Sequence, residues 1–226
     1  MAMITAVVPA AGCGARAALN GNKILAPLHG KPLLFWTLRA LENHAEQIVV
    51  SARREEFGLI REAAGEIAVE IVEGGASRQD SVWAGVRAAR GEWVLVHDAA
   101  RPCVSREIIE ECIEAAQNYG AAIAAQNASD TIKRVNSHGE IVETLDRREI
   151  WLAQTPQVFA RETFLKALNH AAQTGFSGTD CASIWENFGE KVRVVNGDSS
   201  NLKVTFAPDL ERAAAILEGR FEEKNA

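Results

Sequence analysis

The stretch Ile4-Thr5-Ala6-Val7-Val8-Pro9-Ala10-Ala11-Gly12-Cys13-Gly14-Ala15-Arg16 decides the fold. It opens on a short apolar run that stops at Pro9, and the run is continuous rather than alternating. A strand of that kind is covered on both faces. Small residues follow, and small residues let backbone come close to a ligand and turn N–H groups toward a phosphate. The same grammar repeats outward. Apolar runs at 47–51, 69–72, 93–97 and 121–126 read as strands. Amphipathic stretches at 32–42, 53–64, 77–90 and 105–118 read as helices. Ser77 and Asp80 have capping-box spacing, and Gly91 reads as the stop of that helix. Alternating strand and helix predicts an α/β domain with a mostly parallel sheet, helices on both faces and right-handed crossovers. Ligands of such sheets bind beyond the carboxyl ends of the strands. The loops at Gly12, Gly74 and Asp98 should therefore converge on one side.

The pattern changes after Ser129. Residues 131–135 and 140–145 flank the polar turn Asn136-Ser137-His138-Gly139, which predicts a β-hairpin with its apolar side chains on one face. A lone hairpin is marginal and needs a second surface. A second copy of the chain is one candidate. Helices follow at 161–173 and 180–187, then a strand at 192–195 and a last helix at 208–217. The expected organisation is one domain over 1–226, with an arm at about 130–148.

Composition narrows the function. The 226 residues carry 24 Lys+Arg against 30 Asp+Glu, a formal charge of −6. A binder of long polyanions selects a net basic surface, so a nucleic-acid partner is not expected. No apolar run approaches the ~20 residues of a membrane span, and the N-terminus has no basic segment ahead of its apolar run. The four cysteines have no metal-ligand spacing. A cytoplasmic, reducing setting is expected.

Side chains suited to chemistry sit at the predicted strand ends. The first loop offers Gly12 and Gly14 with Arg16 and then Lys23. It lacks the P-loop Gly-Lys-[Ser/Thr] and the third glycine of a dinucleotide fingerprint, so it reads either as a tight turn or as a phosphate cradle assisted by two cations. Asp98 follows the strand at 93–97 directly, with Arg101 three residues on. It suits Mg²⁺, and equally an Asp–Arg pair that caps the next helix. His97 reads as a packing residue. Gly74-Gly75 can bring bare backbone against a flat base, with Ser77 and Ser81 one helical turn apart. Thr131, Arg147, Thr155-Pro156-Gln157 and Thr179-Asp180 read singly as turns or caps. Lys203 is a cation between apolar neighbours, near the expected end of a strand. No nucleophile triad, glycosidase acid pair or zinc motif is present. This inventory suits positioning and charge neutralisation of phosphate.

In this order the segments resemble the cytidylyltransferases that make CDP-alditols, above all the 2-C-methyl-D-erythritol 4-phosphate cytidylyltransferase family of the non-mevalonate isoprenoid pathway. The shared strings are Val8-Pro9-Ala10-Ala11-Gly12-x-Gly14, Gly74-Gly75-x-x-Arg78-x-Asp80-Ser81-Val82 and Val96-His97-Asp98-Ala99-Ala100-Arg101-Pro102. They continue as Asp130-Thr131-x-Lys133, Asp146-Arg147, Thr155-Pro156-Gln157-x-Phe159, Thr179-Asp180-x-Ala182-Ser183 and Asn201-x-Lys203-Val204-Thr205. The resemblance implies a Rossmann-like nucleotidyltransferase fold with a protruding β-arm that builds a homodimer. It implies CTP as co-substrate and Mg²⁺ or another divalent cation as cofactor. By position, Arg16, Lys23 and Lys203 would be catalytic. Pro9, Ala10, Ala11, Gly12, Gly14, Gly75, Asp80, Ser81 and Ala99 would surround the nucleotide. Arg101, Thr131, Arg147, Thr155 and Thr179 would contact the polyol phosphate, and Asp98 would hold the metal. In the family the residue matching Arg147 reaches into the partner's site. The chain departs from the family at Asn22-Lys23-Ile24, at Ala76 and at Cys181. A ribitol 5-phosphate cytidylyltransferase shares most of these strings, and a catalytically silent nucleotide-binding module is the non-enzymatic alternative. At 226 residues no room for a fused second enzyme is expected.

Overall fold

The structure is a computed structural model and describes residues 2–12 and 22–225, with side chains to 220. Gly14 and Arg16 of the first loop lie outside the described residues. The chain runs β1 (Ile4–Pro9), β2 (Pro27–Leu28), β3 (Lys31–Pro32), α1 (Leu33–Leu41), β4 (Gln47–Ala52), α2 (Phe57–Ala64), β5 (Glu70–Glu73), α3 (Arg78–Ala88) and β6 (Trp93–Val96). It continues α4 (Arg106–Tyr119), β7 (Ala121–Asn127), β8 (Lys133–Val135), β9 (Ile141–Thr144), β10 (Trp151–Ala160), α5 (Arg161–Thr174), α6 (Cys181–Asn187), β11 (Arg193–Asn196) and α7 (Ala207–Asn225).

Seven strands form one sheet in the order β11-β7-β10-β6-β1-β4-β5. β1 pairs in parallel with β4 and β6, β4 with β5, and β11 with β7. β10 runs antiparallel between β6 and β7. The mostly parallel sheet is as expected, with this one reversed strand inside it. The continuous apolar runs are explained by cover on both faces. Ala6 and Val8 of β1 pack in a core with Leu34, Leu38, Ile60 and Ile109, while Val7 packs in another with Val82, Val86, Phe164 and Trp185. A smaller cluster joins Leu28 and Leu33 to Leu202, Val204 and Leu217 of the C-terminal segment. The chain order reverses direction across the sheet between β1 and β6. That switch point is where open α/β sheets leave a crevice.

Several sequence expectations need correction. β10 was expected only as a polar element boundary at Thr155-Pro156-Gln157. It is a ten-residue strand, with its register shifted between Ala153 and Gln157. Lys203 is not near a strand end, because β11 stops at Asn196 and residues 202–205 are irregular. Gly91 does not stop α3, which ends at Ala88. A Cβ at Gly91 would lie 2.6 Å from the Met3 carbonyl oxygen and 2.8 Å from the Thr5 nitrogen, so close approach to β1 requires glycine there. The stretch at 53–64 divides into a tight turn, Arg54–Glu56, and α2. α7 runs on to Asn225, past the expected end at 217. The hairpin forms as β8 and β9, with Gly139 at φ +80° in its turn. Its apolar residues do not share one face. Ile141 and Val142 are consecutive, so they point to opposite faces, and they are 63% and 49% exposed.

The second core is centred on aromatic rings. Phe159 of β10 stacks on Phe164 of α5 with centroids 4.3 Å apart, and Trp185 of α6 lies 5.4 Å from Phe159. Phe159 thus ties the reversed strand to both helices beneath it. Phe159→Ala is expected to cost about 3–5 kcal/mol of folding free energy, read as a lower urea midpoint at unchanged slope.

Candidate active site

A cavity of about 510 Å³ opens at the switch point. Pro9, Ala10, Ala11 and Gly12 line it from the end of β1, and Asp98, Ala99 and Ala100 from the end of β6. Gly75, Ala76, Ser77, Arg78 and Ser81 line it from the loop after β5 and the start of α3. Asn22, Lys23 and Ile24 enter from one side, and Lys203 and Thr205 from the C-terminal segment. The three loops predicted to converge do so.

Each wall has a local cause. At the start of α3 the Ser77 Oγ accepts from the Asp80 backbone, and the Asp80 carboxylate accepts from the Ser77 N–H at 3.0 Å, a complete capping box. Asp80 is therefore engaged by the helix terminus and lies outside the cavity lining. Ser81 Oγ turns back to donate to the Ser77 carbonyl. A Cβ on Gly74 would fall 2.8 Å from the Ala11 Cβ and 2.9 Å from the Ser81 Oγ, so only bare backbone fits between the first loop and α3. Asn22 caps the turn Lys23–Leu25 and donates to Glu56, which fixes where Lys23 leaves the backbone. The Lys23 Nζ donates to the Val204 carbonyl at 2.9 Å.

Asp98 is the electrostatic centre. Its Oδ1 accepts from Arg78 Nε at 3.2 Å and Nη2 at 3.0 Å, and its Oδ2 accepts from Lys203 Nζ at 2.7 Å. Arg101 Nε lies 3.8 Å from Oδ2. Burial alone would raise the Asp98 pKa. Arg78, Lys203 and Arg101 outweigh it and hold the carboxyl well below the usual carboxylate range. Among the described residues that line the cavity, Asp98 is the one carboxylate. No group of three or more His, Cys, Asp or Glu is placed to hold a metal among the described residues.

The loop carrying Asp98 is pinned beneath. The Asp98 N–H donates to the buried Thr155 Oγ1 at 3.0 Å, and Arg101 Nη1 donates to the Asn201 carbonyl. His97 Nε2 lies 3.0 Å from the Arg101 carbonyl, which makes it the protonated nitrogen, and Nδ1 has no partner. Thr155 and Arg101 are therefore buried supports of this loop and lie behind the cavity wall. On the far side Gln157 organises α6. Its Oε1 accepts from the backbone of Cys181 and Ala182, and its Nε2 donates to Asp180 at 2.8 Å. That places the exposed Thr179 at the helix entrance. Thr131 and Arg147 are on the arm, outside the cavity lining of their own chain, with Arg147 Nη1 donating to the Ser129 carbonyl.

The sequence reading passed over three contributors. Arg78 was quoted only as part of a shared string, although a charged residue directly after a cap at the ligand edge is itself a signal. Gln157 gave no local sign of its role, because its partners are 23–25 residues away. The Val204 carbonyl that meets Lys23 is 181 residues from it, and a backbone acceptor carries no residue signature.

The family model for 2-C-methyl-D-erythritol 4-phosphate cytidylyltransferase, IspD, matches residues 4–219. The chain belongs to this family. A relative of that name from Bacillus licheniformis is 43% identical over 94% of this chain and 94% of its own. Another, from Symbiobacterium thermophilum, is 39% identical over 95% and 93%. Among solved structures, 4-diphosphocytidyl-2C-methyl-D-erythritol synthase from Anaerococcus prevotii superposes with a TM-score of 0.86 at 27% identity, covering 96% of this chain and 99% of that one. The 2-C-methyl-D-erythritol 4-phosphate cytidylyltransferase of Thermus thermophilus gives 0.81 at 32% identity, covering 95% and 98%. These matches agree with the mostly parallel sheet flanked by helices.

Burial pushes the His97 imidazole down to about 4. Between there and its ordinary 6.5 the unfolded chain binds a proton that the folded chain refuses, so this group makes stability rise with pH across that window. The contribution is of the order of 3 kcal/mol. His97→Gln keeps an Nε2 donor in reach of the Arg101 carbonyl and removes the titration. Urea unfolding at pH 4.5 and pH 7 should show a smaller difference for the variant than for the wild-type chain.

Proposed function

We propose that this enzyme transfers CMP from CTP to 2-C-methyl-D-erythritol 4-phosphate, giving 4-diphosphocytidyl-2-C-methyl-D-erythritol and pyrophosphate. The observation that carries the reading is the meeting of Lys23, Arg78 and Lys203 with one carboxylate in a glycine-walled cavity, in a member of this family. Ala10, Ala11, Gly12, Gly75 and Ser81 offer backbone and small polar groups to the nucleoside, with Pro9 and Ala99 closing the floor. Gly14 and Arg16 extend the same loop in sequence, and we assign Arg16 to the triphosphate with Lys23. Asp80 contributes by holding the α3 terminus.

A phosphate oxygen of the acceptor attacks the α-phosphorus of CTP. The bond from that phosphorus to the bridging oxygen breaks, and pyrophosphate leaves with the electron pair. Attacker and target are both anions, so the barrier contains their repulsion and the charge growing on the leaving oxygens. Lys23 and Lys203 carry fixed positive charge to that region. Their present partners, the Val204 carbonyl and Asp98, are protein acceptors that a phosphate can replace. The nucleophile is already ionised near neutral pH, so no general base is needed. We assign Thr179 to the side where the polyol phosphate would enter, with Thr155 and Arg101 holding the Asp98 loop behind the cavity wall.

A divalent cation fits this site in one form only. Mg²⁺ is commonly held by one or two carboxylates together with substrate phosphates and water, and Asp98 supplies the single carboxylate. When bound, the ion would neutralise part of the triphosphate charge.

We assign Thr131 and Arg147 to the partner's site in a homodimer. Val135, Ile141, Val142, Trp151 and Leu152 leave apolar side chains exposed on both faces of the arm and its base, between 40% and 63% exposed. A second copy would cover them. No helix among the described residues is long and apolar enough to cross a membrane. We place the enzyme in the cytoplasm, in keeping with the buried free thiols of Cys103, Cys112 and Cys181.

Incubated with CTP and Mg²⁺, the protein should release pyrophosphate with 2-C-methyl-D-erythritol 4-phosphate and far less with ribitol 5-phosphate. The reverse preference would overturn the acceptor assignment. Lys23→Ala should lower kcat by about 10²–10³ while CTP affinity by calorimetry changes much less. Loss of affinity alone would remove Lys23 from the transition state.

The dimer assignment has its own test. Arg147→Ala and Lys203→Ala, each inactive alone, should recover about a quarter of wild-type activity when co-expressed, because half the dimers are mixed and each restores one site. No recovery would show that Arg147 serves its own chain.

A further inference from the structure

Arg78 joins three elements through one guanidinium. It leaves the first turn of α3, places Nε and Nη2 on Asp98 Oδ1 after β6, and brings Nη1 to 3.5 Å from the Sγ of Cys181 at the start of α6. All three nitrogens are therefore engaged by protein. Cys181 is fully buried, and the Arg78 side chain is about one-third exposed.

The two oxygens of Asp98 have different partners. Oδ1 has a planar, forked cation that is held at its far edge. Oδ2 has Lys203, a flexible side chain 43% exposed at the cavity rim. Arg101, nine-tenths buried, stands 3.8 Å from Oδ2 with its Nε unpartnered. Three cations crowd one carboxylate, so an arriving phosphate lowers the local repulsion by drawing away the one that can move.

We propose that Arg78 is a positioning residue that clamps Asp98 through Oδ1, with Cys181 fixing the outer edge of the clamp, so that only Oδ2 exchanges partners when the nucleotide binds. This rests on the cytidylyl-transfer reading. Lysine cannot substitute, because an ammonium is a point charge and cannot span the Asp98 oxygen and the thiol in one plane. The thiol supplies a weak, compact acceptor where a longer side chain would displace the guanidinium.

The test uses the full-length wild-type protein and the variants Arg78→Ala, Arg78→Lys and Cys181→Leu, each first shown to be folded by its unfolding midpoint. Arg78→Ala and Arg78→Lys should lose about 10- to 100-fold in kcat with the KM for CTP within about threefold. Low millimolar guanidinium should restore part of the loss in Arg78→Ala and none in Arg78→Lys. Cys181→Leu should lose kcat in the same direction. A second readout needs no turnover: the Arg78 Nε–H proton resonance, assigned by its absence from Arg78→Lys, should stay in place when CTP is added to the wild-type protein. A resonance that moves with CTP, or a loss confined to KM, would mean that Arg78 binds the nucleotide itself and would overturn the clamp. Unchanged kcat in the folded variants would overturn it as well. If the wild-type protein bound CTP yet released no pyrophosphate, the transfer reading would fail while the resonance still decided the clamp.

Discussion

The Asp98 carboxylate is buried at the end of a central strand, and nothing but cations makes its charge tolerable there. Taking a carboxylate out of water costs several kcal/mol, and an unpaired one would protonate instead. Arg78 and Lys203 accept that constraint from opposite sides, and Arg101 adds to it from below. They come from α3, from the irregular segment after β11 and from the Asp98 loop itself. One buried charge thus draws together parts of the chain up to 105 residues apart. It also assembles, before any ligand arrives, the cations that a phosphate needs. A net charge of −6 is compatible with this, because the global average says little about a pocket whose one carboxylate is saturated.

The supports below the site follow from the same constraint. A loop carrying a paired charge must not drift, and its backbone is fixed by groups with no exposure to spare. Thr155 accepts from the Asp98 N–H, His97 reaches the Arg101 carbonyl, and Asn201 donates to the Thr155 carbonyl at 2.8 Å while its own carbonyl takes Arg101. The reversed strand β10 supplies Thr155 to this layer and, two residues on, Gln157 to the α6 terminus. Residues two apart on a regular strand face the same way, but the register shift between Ala153 and Gln157 lets Thr155 and Gln157 serve different layers. The strand that breaks the parallel pattern is the one that holds the floor of the site.

How much of this the sequence disclosed depended on whether the cause was local. Continuous apolar runs announced β1, β4, β6 and β7, since burial on both faces acts residue by residue. The capping box of α3 was legible because both partners lie within one turn. β10 was not, because Gln154-Thr155-Pro156-Gln157 is polar and contains a proline. Its place in the sheet is set by β6 and β7 on either side, which no local pattern encodes. Gly91 was misread for the same reason, since the clash that requires glycine is with residues nearly ninety positions earlier. Those expected site residues that line the cavity, from Pro9 to Gly12 with Lys23, Gly75, Ser81, Asp98, Ala99 and Lys203, were legible through their order along the chain. Their pairings were not, and Asp98 could be read as a metal ligand or as an ion-pair partner with equal justice.

On the proposed function those two readings of Asp98 need not oppose each other. As the chain stands, the carboxylate is an ion-pair partner, with Oδ1 under a forked guanidinium and Oδ2 under an ammonium. An oxygen held by Lys203 is held by a group that the proposed function also assigns to phosphate. Triphosphate binding would recruit the lysine and free the oxygen in one exchange, leaving the carboxylate charge in place for a new cation. On that reading the pair would not compete with the ligand-binding role but would be the form in which the site waits for it. That arrangement requires two unlike cations on the two oxygens. Two lysines would leave the carboxylate free to swing, and two arginines would give up neither oxygen readily.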